Sequence, residues 1–356
     1  MSIMDKIKKN NRIKGADVLS ESKFFSDQDM TPTSVPMINV ALSGDLNGGL
    51  TSGLTVIAGD SKHFKTSFAL LMASDYMKKY SDAVLIFYDT EFGSPQAYFD
   101  NFGIDTSRVW HVPVQNVEEL KFDIINQLEQ ADRKDHIIII IDSIGNIASK
   151  KELDDAMSQK SVADMSRAKA LKGLFRMTTP YLATKDIPMI AINHIYREMG
   201  LFPKAIVSGG TGIYYSADNI WIVGRQQNKD SKGIKGYHFV IGIEKSRYVK
   251  EKSKIPISVT WEEGVKKYSG LLEVAVAGKF VHKGKKGQSL GYAKMNNETG
   301  EVEEEIYYEK DTDNGEFWQE ILDNPGFKDF VQNQYQMGKA SLVDFDEIVK
   351  SDVEVE

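Results

Sequence analysis

Cysteine is absent from all 356 residues, so disulfides, zinc fingers, iron–sulfur clusters and thiol catalysis are excluded together, as fits a reducing compartment. Apolar runs stay short, as in the five consecutive isoleucines Ile137 to Ile141. A membrane span needs about 20 such residues. The amino-terminal stretch MSIMDKIKKNNRIK is basic but lacks the apolar core of a signal peptide. No segment repeats at solenoid spacing. Net positive charge is missing too: 44 Lys and Arg against 51 Asp and Glu leave −7. Binding to nucleic acid therefore requires local basic patches rather than bulk charge. What is present is an ordinary globular composition, 41% hydrophobic and 27% charged, in a chain long enough for one large or two ordinary domains. A soluble, cytoplasmic protein is expected.

Residues 1–25 read as a short basic amphipathic helix with Ile3, Ile7, Ile13, Val18 and Leu19 among Lys and Asn. The stretch holding Pro32 and Pro36 reads as an extended arm. LTVIAG (54–59), AVLIFYD (83–89), HIIIIID (136–142) and IPMIAIN (187–193) read as buried parallel strands. Helical segments Phe68–Lys79, Val117–Gln130 and Val162–Ala183 alternate with them. This alternation predicts an α/β fold, a doubly wound, mostly parallel sheet covered on both faces. After residue 214, NIWIVGR, YHFVIGIEKS and KIPISVTW read as hairpin-connected strands extending the same sheet. From about residue 268 a small mixed region holds a basic loop, GKFVHKGKKG, the acidic run NNETGEVEEEIYYE, a helix-like stretch and an acidic tail. The expected division is an amino-terminal helix and arm (1–36), a core (37–270) and a small carboxy-terminal region (271–356).

The octapeptide GDSKHFKT, Gly59 to Thr66, follows a strand and opens a helix. In that setting backbone N–H groups, here of Gly59, Asp60, Ser61, Lys62, His63, Phe64 and on to Ser67, curl round phosphates at a helix N-terminus. Lys65 reaches the outer phosphates and the Thr66 hydroxyl ligates Mg²⁺. The usual pattern is G-x-x-x-x-G-K followed by Ser or Thr, and Phe64 replaces the second glycine. A Phe there is expected to avoid positive φ. Asp142 ends the isoleucine strand, where an acidic group can hold the water shell of Mg²⁺. Glu91, just past the strand AVLIFYD, is the candidate base for orienting or deprotonating the attacking water. Strand ends of an open parallel sheet converge on the ligand, so a site that hydrolyses a nucleoside triphosphate is expected there.

The order of these motifs, with the phrases PMINVALSG, IDSIGNIASKKE, SRAKALKGLFR and EKSRYVKEKS, resembles the RecA-type strand-exchange recombinases, most closely those of T-even phages. The match runs over about residues 20 to 280. The resemblance implies that Tyr98 stacks on adenine. It implies that His194 stands where many relatives have a Gln sensing the terminal phosphate. Lys245 and Arg247 are implied to reach the ATP of a neighbouring subunit in a filament. It further implies single- and double-stranded DNA as partners, a phage single-strand-binding protein and a loading mediator.

Two segments are candidates for holding DNA. The first leads into a helix with Arg167, Lys169, Lys172 and Arg176, the last three sharing one face. The second, HIYREMGLFPKAIVSGGTG, holds Arg197, Met199, Phe202, Lys204, Gly209 and Gly210. Its glycines allow close approach to phosphates, and Met199 or Phe202 can wedge between bases. Such contacts tolerate any sequence. The amino-terminal segment, with Phe24 and Phe25 as anchors, is expected to dock on a neighbouring subunit. The expected activity is a DNA-dependent ATPase that forms a helical filament and exchanges strands. The alternatives are a ring helicase on the same fold and a non-catalytic ATP-binding mediator.

Overall fold

A computed structural model describes residues 1–13, 15–22, 29–158, 166–198, 204–230, 233–260, 264–287, 289–296 and 299–338. The isoleucine run shows why its centre is so apolar. Ile138 and Ile140 enter one core while Ile139 and Ile141 enter the other. A strand alternates its side chains between faces, so burial on both requires a continuous run.

The amino-terminal helix α1 is shorter than expected, Ile3–Asn10, and buries no residue; Ile3, Met4 and Ile7 are exposed. Phe24 and Phe25 lie outside the described residues. Pro36 does not continue an extended arm. It starts helix α2, Pro36–Ser43, where a missing N–H and a fixed φ cost nothing, and Met37–Ser43 are buried. The four expected parallel strands are β1 (Gly53–Gly59), β2 (Val84–Asp89), β4 (Ile137–Asp142) and β5 (Pro188–Asn193). Between β2 and β4 an unexpected edge strand, β3 (Val109–Pro113), pairs parallel with β2.

Helix α3 (Lys65–Lys79) follows β1 directly. Helix α4 is Gln96–Asn101 and α5 is Val117–Gln130. Asn116 caps α5 by accepting the Glu119 N–H, and Val117, Leu120, Ile124 and Leu128 face the sheet at helical spacing. Then come α6 (Lys150–Met157) and α7 (Ser166–Lys185), with Leu171, Leu174, Phe175 and Leu182 packed on the same face as α5. A short hairpin, β6 (Ile195–Arg197) and β7 (Ala205–Val207), precedes α8 (Thr211–Ser216).

Strands β8 (Asn219–Asp230), β9 (Gly233–Lys245), β10 (Lys254–Thr260) and β11 (Gly264–Val265) extend the sheet, in the order β11-β10-β9-β8-β1-β5-β4-β2-β3. β8 lies parallel to β1, and the strands beyond it are antiparallel. The carboxy-terminal region contains α9 (Leu271–Ala277), the hairpin β12 (Val281–Lys286) and β13 (Ser289–Lys294), α10 (Gly315–Asp323) and α11 (Pro325–Tyr335). The basic stretch expected as a loop is thus half of a hairpin. Phe317, Trp318, Phe327, Val331 and Tyr335 join the core beneath α2 and α3, so this region shares the sheet's own packing.

Candidate functional site

The carboxyl ends of β1, β2, β4 and β5 meet in a cleft of about 390 Å³. Residues 60–64 connect β1 to α3, and Lys65 is the first residue of that helix, only 7% exposed. Its Nζ donates to the Asp60 carbonyl at 2.8 Å, and burial holds its ammonium pKa below the usual lysine value. The Thr66 hydroxyl donates to Asp142 Oδ2 at 2.8 Å. Burial pushes the Asp142 carboxyl up to about 6; the Thr66 hydrogen bond and Lys65 oppose this, and the charges of Glu91 and Asp89 add to it.

Phe64 contradicts the expectation drawn from its side chain: it adopts φ 56° and ψ 21°, the left-handed region where glycine usually stands. Such a conformation costs an ordinary residue about 1–2 kcal/mol. Packing offsets it. The Phe64 ring lies 5.3 Å from Phe239, which Phe68 meets edge-on at 6.0 Å. His63 is drawn to the same side, with Nδ1 2.7 Å from the Val223 carbonyl. Ser61 and Lys62 line the cleft mouth, and a Cβ at Gly59 would stand 3.0 Å from the Val223 oxygen.

Glu91 is the hub of the opposite wall. Its Oε1 accepts from Ser143 Oγ at 2.5 Å and Asn146 Nδ2 at 3.2 Å, and His194 Nε2 lies 3.2 Å away. Asp89 fixes the turn beneath it: Oδ1 accepts the N–H groups of Glu91 and Phe92. Gly145 abuts His194 so closely that a Cβ would come within 2.2 Å of the imidazole Cδ2. Tyr98, on α4, forms another wall, its hydroxyl 3.2 Å from Ser67 Oγ. The structure thus brings Lys65, Thr66, Glu91, Tyr98, Asp142 and His194 together around one cleft.

Sequence reasoning missed Ser143, Asn146, Arg225 and Tyr237. The Arg225 guanidinium sits 4.5 Å over the Tyr237 ring and donates to the Lys62 carbonyl at 3.0 Å. A signal for Arg225 existed: β8 runs beside β1 with Val223 level with Gly59, so the end of NIWIVGR must reach the phosphate loop.

Lys245 and Arg247 lie elsewhere. Lys245 pairs with Ile220, which is level with Val56 midway along β1. Arg247 contacts Asp218, which accepts the Leu54 N–H near the strand's amino end, whereas the cleft lies beyond its carboxyl end. The three residue steps from Val56 to Gly59 span roughly 10 Å. Lys245 donates to the carbonyls of Tyr214 and Ala217, closing the end of α8. Arg247 Nε is 2.6 Å from Asp218 Oδ1, while Oδ2 of that carboxylate accepts the Leu54 N–H.

Of the DNA candidates, Lys169 and Arg176 are exposed on one face of α7 together with Lys172, against which Gly212 of α8 packs. Arg167 points elsewhere and donates to the carbonyls of Ile144, Gly145 and Ile147. Arg197 Nη2 is 3.2 Å from Asp60 Oδ2, linking the β6–β7 hairpin to the phosphate loop. Lys204 and Gly210 are exposed, and Gly209 and Gly210 take φ values of 99° and 78°. Met199 and Phe202 lie outside the described residues. No helix among the described residues is long and apolar enough to cross a membrane.

Comparison with known proteins agrees with this architecture. Residues 3–266 match the family model described as RecA N-terminal domain, and residues 268–331 match "Bacteriophage T4, Recombination and repair protein, C-terminal domain". The chain is 47% identical over 340 residues to the "Recombination and repair protein" of Enterobacteria phage T4, covering 94% of this chain and 85% of that protein. It is 24% identical over 266 residues to "Protein RecA" of Bacteroides thetaiotaomicron, covering 74% and 77% of the two chains. To "Protein RecA" of Mycoplasma mycoides subsp. mycoides it is 25% identical over 264 residues, covering 71% and 72%. The chain belongs to the RecA family of recombination proteins.

Proposed function

We infer that this protein is a DNA-dependent ATPase that assembles as a helical filament on single-stranded DNA and catalyses homologous pairing and strand exchange with a duplex. The observation that carries the reading is the 2.8 Å contact between Thr66 and Asp142 at the floor of a cleft that also holds Lys65 and Glu91. Paired hydroxyl and carboxylate oxygens suit a hard cation such as Mg²⁺. The cleft walls suit a nucleoside triphosphate, with Lys65 for its outer phosphates and Tyr98 for the base. Bound Mg²⁺ supplies charge neutralisation on the phosphates.

The chain's own residues do the rest. Lys65 exchanges the Asp60 carbonyl for phosphate oxygen. Asp142 and Thr66 hold the cation, and Glu91 orients water at the terminal phosphate, steadied by Ser143, Asn146 and His194. Lys245 and Arg247, engaged with Ala217 and Asp218 and outside the lining of their own cleft, serve a neighbouring subunit, where a cation in trans neutralises charge as the phosphoryl bond breaks. The exposed Ile3, Met4 and Ile7 of α1 give such a neighbour an apolar contact.

The exposed cations of α7, with Arg197, Lys204 and the glycines before α8, form the DNA groove once subunits repeat along a filament. A basic channel then arises from an acidic protein. A phage single-strand-binding protein and a loading mediator are the expected protein partners, in the cytoplasm of the host cell. A joint-molecule assay with homologous single strand and duplex tests the reading. Exchange that requires homology and ATP supports it; unwinding without a homologous strand favours a ring helicase.

A further inference from the structure

We propose that Arg167 is a positioning residue for ATP hydrolysis, fixing the segment that holds Glu91, and not a ligand of DNA phosphate. This rests on the reading of Glu91 as the group that orients water.

Arg167 lies in the first turn of α7, the helix whose Lys169, Lys172 and Arg176 are exposed. Its own guanidinium turns inward. Nε donates to the Ile147 carbonyl at 2.7 Å, and Nη2 donates to those of Ile144 at 2.9 Å and Gly145 at 2.5 Å. These carbonyls belong to the irregular segment between β4 and α6, which has no strand or helix ladder to satisfy them. A planar cationic fork binds several such acceptors at once, and an ammonium does not reproduce that geometry.

The clamped segment carries the partners of the hydrolytic carboxylate. Ser143 and Asn146 both donate to Glu91 Oε1. Gly145, between them, packs against His194, the third group on that oxygen. The guanidinium therefore holds the 144–147 backbone, which carries Asn146 and presses Gly145 on His194, while Thr90 Oγ1 separately ties the backbone of Ser143. With Oε1 so engaged, Oε2 has no hydrogen-bond partner among the described residues and is the oxygen presented to water. Displacing a water-orienting carboxylate by about 1 Å is enough to cost on the order of a hundredfold in rate. The adjoining contact between Ser149 Oγ and Ser166 Oγ, 2.5 Å, ties α6 to the start of α7 beside the clamp.

The two readings of Arg167 separate cleanly in the charge-conserving variant. Arg167→Lys keeps a cation for a phosphate but loses the planar fork whose Nε and Nη2 reach the three carbonyls from two positions. Positioning predicts that its kcat for single-strand-stimulated ATP hydrolysis falls at least about tenfold. Affinity for a labelled oligonucleotide, the slope of that affinity with salt, and ATP affinity stay within twofold of wild type. Arg167→Ala behaves the same way, with a larger loss of kcat. In a double-mutant cycle on kcat, Arg167→Lys and Asn146→Ala are non-additive, because both act through the placement of Glu91.

The proposal is overturned if Arg167→Ala weakens oligonucleotide binding and lowers the salt slope by about 0.7, one lost phosphate contact on a single strand, while kcat at saturating DNA is unchanged. Additive losses in the cycle overturn it too, since a general loosening of the fold needs no coupling to Asn146. Failure of the wild-type chain to respond to DNA would strike the functional reading instead. The Arg167 comparison is then decided by ATP turnover without DNA and by oligonucleotide affinity, each as a ratio to wild type.

Discussion

The Phe64 ring packs 5.3 Å from Phe239, and this contact holds a bulky residue in a left-handed position of the loop between β1 and α3. Phe64→Gly removes roughly 1 kcal/mol of backbone strain but also the partly buried ring, worth about 2 kcal/mol. It should melt slightly earlier and bind ATP within a few-fold of wild type. Phe64→Val places a β-branched residue where such residues are outliers and supplies no ring for Phe239. It should lose at least tenfold in ATP affinity. Thermal melts with nucleotide titration check both, and equal affinities for Gly and Val would contradict the loop geometry.

Lys65→Ala should abolish ATP binding. Lys65 is the buried cation at the phosphate loop, and its ammonium already leans on the Asp60 carbonyl that phosphate oxygens would replace. Equilibrium binding of a fluorescent ATP analogue measures this directly. Wild-type affinity in the variant would remove the cleft from consideration.

Asp142 sets stability against function. Its folded pKa of about 6 exceeds the ordinary carboxylate value. The nucleotide-free protein therefore keeps full stability below about pH 4 as far as this group is concerned, and loses it as pH rises through about 6. The loss is on the order of 2–3 kcal/mol. Asp142→Asn should raise the Tm of the nucleotide-free chain at pH 8, narrow that gain towards pH 5, and lose Mg²⁺-dependent turnover. A variant less stable than wild type at pH 8 would contradict the assignment of burial as the cause.

Lys245 and Arg247 are proposed to act in trans, since their partners Ala217 and Asp218 lie beside Leu54, away from the carboxyl end of β1 where their own cleft opens. The double variant Lys245→Ala, Arg247→Ala should bind ATP and lose DNA-stimulated turnover. Mixed with equal Lys65→Ala, also inactive, it should regain about a quarter of wild-type turnover, the share of complete interfaces in a randomly ordered filament. No recovery, with both variants bound to DNA, would contradict the role in trans.

How much of this was legible in the sequence follows from where each residue's constraint arises. Strands buried on both faces, such as Ile137–Ile141, announce themselves by composition. The edge strand Val109–Pro113 did not, because exposed Trp110 and His111 interrupt its pattern. Pro36 carried two meanings, arm or helix start, and burial of the residues after it decided the matter. In the cleft, Lys65, Thr66, Glu91 and Asp142 were readable because strand ends converge by topology. Arg225 and Tyr237 reach it only through the register of β8 and β9. Arg167 looks like its basic neighbours in sequence, and only its three carbonyl partners set it apart.

The central claim is that one chain couples the Lys65–Glu91–Asp142 cleft to a phosphate-binding groove. Steady-state ATP hydrolysis with and without single-stranded DNA, at two salt concentrations, tests it most directly. The account predicts strong stimulation by DNA that weakens as salt rises, because the groove binds backbone phosphate. Tight binding of ATP and DNA without turnover would contradict it, leaving a non-catalytic mediator in which Glu91 orients no water.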